Sequence, residues 1–124
     1  MEELLKNKIA SINDQYFGLD DLPAIVWSRG RIKRRYRRLT LGSYHFHKNE
    51  IRIHPLFRER EIPEYVLEYV IFHELLHFED RNELKRRRRG DRIHSAEFHT
   101  REREYPRKKE ASRYVKNIML NGLP

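Results

Sequence analysis

The sequence predicts an α+β domain with helices packed on one face of a small three-stranded mixed sheet. Three observations carry this reading. A 3.6-residue apolar period opens the chain, short β-branched runs follow it, and a strongly apolar helical segment occupies the middle. The chain has 124 residues, among them seven Tyr, six Phe and one Trp, enough bulk for one core. With no repeat and no Pro/Gly/Ser linker, residues 1–124 read as a single domain.

The elements follow in order. Leu4, Leu5, Lys8, Ile9, Ile12, Tyr16 and Phe17 outline an amphipathic helix over 2–16, with Gly18 placed to stop it. Ala24 to Ser28 forms a short apolar strand, and Arg29-Gly30-Arg31 reads as a turn. Tyr36 to His47 and Glu50 to His54 read as two strands of a hairpin, joined tightly at Lys48-Asn49, and Pro55 ends the second. The stretch Ile51 to His54 is a candidate edge strand for pairing with an extended peptide. Pro63-Glu64 then suits a first helical turn. From Val66 to Phe78 apolar residues cover most of the helical circumference, which marks a buried central helix. A polar, basic loop runs to Gly90-Asp91, a short helix follows Ser95, and a last helix covers 107–120.

Composition narrows the chemistry. The chain contains no cysteine, which excludes disulfides, thiolate catalysis and Cys-ligated metal. Any metal must rest on His and carboxylate ligands. No run approaches 18 apolar residues, and the first residues, Met1 to Leu5, lack a secretory pattern. A soluble, cytoplasmic protein without a membrane partner is the expectation. Lys and Arg number 27 against 19 Asp and Glu, for a net charge of +8. The excess is clustered at Arg29–Arg38, which holds no acid, and at Arg86–Arg89. Such clusters suit DNA or another polyanion, and a solvated basic surface accounts for the same composition.

The central helix carries His73-Glu74-Leu75-Leu76-His77. Positions i and i+4 share a helix face, so both imidazoles can reach one ion. Glu74 lies about 100° round, beside such an ion, where a base can take a proton from bound water. A random chain of this composition would contain the string with a chance of about 4%. Its setting adds weight, because two His and a Glu in an apolar helix need partners. One zinc ion satisfies all three. A catalytic zinc takes three protein ligands and keeps a fourth position open. His94 leads as the third, with Glu97 and His99 as alternatives, and Phe98 is expected to anchor in the core. His45, His47 and His54 read as surface or edge residues of the hairpin. Tyr105, Tyr114, His99 and Arg113 are conceivable oxyanion donors, each better explained structurally.

These residues together resemble a known domain. Tyr16-Phe17, Ile25 to Ser28, Leu41-Gly42-Ser43-Tyr44, Glu50 to Ile53, Pro63, the His73 to His77 string and His94-Ser95-Ala96-Glu97-Phe98 look like the SprT-like zinc metallopeptidase domain. The related YgjP-like group is similar too. The resemblance implies a zincin-like fold, one zinc ion on His73, His77 and His94, Glu74 as catalytic base, and a protein or peptide substrate. Larger relatives include the Spartan proteases, which cut proteins crosslinked to DNA. The chain departs at Ser95, where members often carry Gly, and it has no Cys-rich zinc ribbon. Minimal gluzincin-type peptidases are a neighbouring pattern, in which Glu97 would be the carboxylate ligand.

Three functions therefore stand at this point. The first is a zinc-dependent endopeptidase, associated with DNA through its basic clusters. The second is a nucleic-acid-binding domain whose metal is structural or inactive. The third is a latent peptidase whose segment from Tyr105 to Pro124 covers the cleft.

Overall fold

A computed structural model describes residues 2–33, 35–81 and 96–123. The expected architecture is present: five described helices and a three-stranded mixed sheet. Helix α1 (Glu2–Ile12) buries Leu5, Ile9 and Ile12, one face repeating every three or four residues. Its last turn widens into a π-turn at Asn13–Phe17, so the helix ends four residues sooner than the apolar period suggests. Gly18 closes it in the left-handed region (φ 70°), donating to the Asn13 carbonyl at 2.7 Å. The Asn13 amide then bonds both backbone groups of Leu19. That explains why a polar side chain is buried there.

The strands are β1 (Ala24–Trp27), β2 (Gly42–His45) and β3 (Glu50–Ile53), in the order β1-β3-β2. β1 runs parallel to β3, with Ile25 opposite Ile51, and β2 runs antiparallel to it, with Tyr44 opposite Ile51. Three expectations are corrected here. β3 is the central strand, so Ile51 to His54 offers no free edge, and the edges belong to β1 and β2. The strand expected from Tyr36 is confined to Gly42–His45. The Tyr36 hydroxyl accepts from the Lys33 N–H and donates to the Arg31 carbonyl, so its side chain closes a local turn on the residues before it. The Lys48-Asn49 link is a 3₁₀ turn, Phe46–Lys48, with Asn49 left-handed at φ 50°.

After β3, Pro55 begins a short helix α2 (Leu56–Glu59), which the sequence reading missed. Helix α3 (Glu64–Glu79) then crosses the sheet. Ile51, Ile53, Ile71 and Leu75 meet there with no exposed surface. Lys8 bridges Glu64 and Glu68 at 3.3 and 2.9 Å, tying α1 to α3. Tyr16, Phe17, Phe72 and Tyr105 form an aromatic cluster with centroid separations of 5.2–5.9 Å. Helices α4 (Ala96–Glu102) and α5 (Lys108–Asn121) complete the helical layer against α3. Among the described residues no helix is long and apolar enough to cross a membrane.

Candidate metal centre and cleft

The string from His73 to His77 lies in the second half of α3. There the helix passes beneath β2 and the residues leading into it. Helical spacing puts the His73 and His77 rings side by side, centroids 5.0 Å apart. Phe98, on α4, is buried against both, at 5.2 and 4.6 Å. The expected anchor is therefore also a clamp on the imidazoles. Glu74 points beneath the start of β2. A Cβ on Gly42 would stand 2.6 Å from Val70 Cγ1 and 3.2 Å from Glu74 Cγ, so only glycine lets the strand come this close.

A cleft of about 480 Å³ opens over His73 and Glu74. Tyr69, Val70, His73 and Glu74 form its floor, Leu39 to Gly42 one wall, and Ser112, Val115 and Lys116 of α5 the other. Burial pushes the Glu74 carboxyl up to about 7, with His73 opposing the rise and Glu102 adding to it. A carboxyl in that range can take and return a proton near neutral pH. Burial also pushes the Tyr69 hydroxyl up to about 12, keeping it protonated.

One buried carboxylate was missed in the sequence. Glu102, at the end of α4, accepts from His73 Nδ1 and lies 3.8 Å from Lys108 Nζ. Burial alone would lower the His73 pKa, but the Glu102 and Glu74 carboxylates together reverse that and hold it above the ordinary value. Glu102 in turn is held below the usual carboxylate range by His73 and Lys108, against its burial. The only sequence signal was an acid five residues beyond Glu97. Nothing local distinguished it from Glu104.

The remaining candidates separate clearly. His94 and the Arg86–Arg89 cluster lie outside the described residues, as does Arg34. Glu97 is exposed and lines a hollow with Glu79, Asp80 and Arg101, away from the cleft. The carboxylate on α4 brought to His73 is Glu102 instead. His99 is exposed beside Phe98. Tyr105 is buried and donates to the Tyr65 carbonyl at 3.0 Å, a structural role. Arg113 and Tyr114 line a separate hollow with Tyr65. His45 bonds Ser43 at 2.9 Å, and His47 is exposed. His54, expected at the surface, is buried: the loop after β1 folds over it, and the Leu56 N–H donates to its Nδ1.

The donor chemistry fits a divalent metal. Two imidazoles and nearby carboxylates form the nitrogen and oxygen set that zinc accepts. Among the described residues no three such groups yet converge on one point.

No protein-family model and no curated protein matches the chain. Among solved structures, the crystal structure of the metallopeptidase zymogen abylysin from Pyrococcus abyssi matches it over 100% of both chains. The TM-score is 0.60 and the sequence identity 18%. The chain therefore shares the fold of a metallopeptidase zymogen, with a His-Glu-x-x-His helix flooring its cleft.

Proposed function

We propose that this chain is a zinc-dependent endopeptidase of SprT-like type. The observation that carries the reading is the pairing of the His73 and His77 rings with a buried, cleft-lining Glu74 on one turn of α3. His73 and His77 would hold the ion, with His94 as third ligand. Zinc at this site would supply Lewis-acid chemistry towards water and a peptide carbonyl. Glu74, buried in the cleft, would serve as the general base and then as the proton donor to the leaving amine. Glu102 holds His73 through Nδ1, a contact that would orient the ring with Nε2 as the metal-binding nitrogen. Phe98 keeps both imidazoles from rotating away. A substrate backbone would pair with β2, an edge strand among the described residues, because that edge adjoins the cleft.

Two measurements test this reading. Purified protein should carry one zinc per chain, lost in His73→Ala. Glu74→Gln should keep the zinc and lose about 10²–10⁴-fold of its cleavage of an unfolded protein. Cleavage that survives Glu74→Gln or complete zinc removal would end the peptidase reading.

A latent state is the second reading, favoured by α5 forming one cleft wall and by the zymogen neighbour. It predicts that cutting the chain between Arg103 and Arg107 raises activity. A basic nucleic-acid-binding domain is the alternative from another class. It gives no role to a buried acid at position 74.

A further inference from the structure

The sheet has a second face, turned away from α3, and it holds a hollow of about 420 Å³. Arg31, Lys33 and Arg38 line it from the β1–β2 connection, Arg52 from β3, and Ser43 and His45 from β2. Among the described residues no carboxylate lines it. Arg31, Lys33 and Arg38 make no ion pair among the described residues, while Arg52 reaches Glu50 at 3.4 Å. Cations converging on a concavity without counter-charge focus positive potential. Guanidinium groups match a carboxylate in geometry as well as sign.

Position gives the hollow its meaning. Leu39 and Thr40 line both the hollow and the cleft, so one strip of chain divides them. β2 alternates across that divide. A Cβ at Gly42 would meet Val70 and Glu74, and Tyr44 packs on Phe78, so these two positions face α3. Ser43 and His45 face the hollow. An extended peptide added to the β2 edge continues the alternation, sending every second side chain towards α3 and the others towards the cations.

We propose that the hollow is a specificity subsite for Asp or Glu side chains of the peptide lying along β2. The proposal rests on the peptidase reading and names its substrate class as acidic, extended polypeptide. A nucleic acid is the competing occupant, but a phosphodiester backbone spreads its charge along a stripe. These cations gather in one hollow beside a strand edge.

The test uses two fluorogenic decapeptides, identical except for Glu or Gln at alternate positions. With zinc-loaded full chain, the Glu peptide should show about tenfold higher kcat/KM, the size of one charge-assisted hydrogen bond. The Arg31→Gln/Arg38→Gln variant should narrow the ratio to less than about twofold, and its thermal midpoint verifies folding. Fluorescence anisotropy on the Glu74→Gln protein measures binding of the same peptides separately from turnover. Cleavage of both peptides at one rate overturns the subsite and leaves the peptidase intact. No cleavage, with the Glu peptide still bound preferentially and the preference lost in the double arginine variant, removes the peptidase and keeps the acidic site. Equal binding of the two peptides overturns the site. So does a single-stranded oligonucleotide that displaces the Glu peptide at a lower concentration than the peptide itself needs.

Discussion

His54 is buried and His73 half-buried, and their partners make them different residues. His54 lies under the loop after β1, where the Leu56 N–H donates to Nδ1 at 3.0 Å and Gly30 lies against Nε2 and Cδ2. Burial keeps its pKa low, so the ring is a neutral packing element. His73 instead gives Nδ1 to the Glu102 carboxylate and lines the cleft. The sequence shows two histidines beside apolar residues. What the ring nitrogens touch separates the two: backbone holds His54 and a carboxylate holds His73.

The sharpest way to break this contrast is at the clamp on the imidazoles. Phe98 is 4% exposed and packs on both His73 and His77. Phe98→Ala should cost about 3–5 kcal/mol of stability, measured by urea denaturation, because it empties the contact between α4 and α3. A loss below about 1 kcal/mol would mean that α4 does not brace the rings.

Glu102 tests the partner directly. If it orients His73, Glu102→Gln should weaken zinc binding about 10–100-fold, read by competition with a chromophoric chelator. Folding should remain cooperative, because the amide oxygen can still accept from Nδ1–H. A loss beyond about 10³-fold would make Glu102 a ligand rather than a brace. Unchanged affinity would remove it from the centre.

How far the site was legible follows from the kind of signal each part carries. The central helix and its His-Glu-x-x-His string were readable because periodicity and spacing are local properties of α3. β1 and β3 were readable as short runs with β-branched residues and β2 only as part of a longer strand-like stretch, but their order was not. β3 lies between β1 and β2 through backbone pairing at long range, which no local pattern records. For that reason Ile51–His54 reads from sequence as either an edge or an ordinary hairpin strand, and only the pairing shows it to be central. The strand expected from Tyr36 begins only at Gly42, and the Tyr36 hydroxyl instead closes a local turn with Arg31 and Lys33, a contact no strand pattern records. Glu102 was invisible for a similar reason: its role depends on where α4 docks, and the docking is set by Phe98.

On the other side of the contrast, Gly30→Ala should disturb His54 alone. An added Cβ would stand 2.6 Å from His54 Nε2 and 2.7 Å from Cδ2. The ring has little room to move, because Leu56 holds Nδ1 and the Tyr36 ring meets it edge-on at 5.8 Å. Overpacking of this kind costs about 1–3 kcal/mol. Thermal denaturation should show the loss, while zinc affinity stays at the unmodified level. A change in zinc affinity would mean that the two histidine environments are coupled through β3.

The smallest effect separates the two rings by pH. A histidine with a lowered folded-state pKa binds its proton less readily when folded than when unfolded. Its contribution to stability is therefore complete above the unfolded value of about 6.5 and is lost as pH falls through the folded one. Protonation would also place an N–H where Nδ1 now accepts from Leu56. His54→Asn keeps an acceptor near that point and cannot titrate, so its stability should fall less than that of the unmodified chain between about pH 7 and 5. The difference between the two denaturation series isolates His54, because His73 and His77 are present in both. Parallel series would show that His54 is protonated as easily in the folded chain as in the unfolded one, and the neutral packing role would then fail.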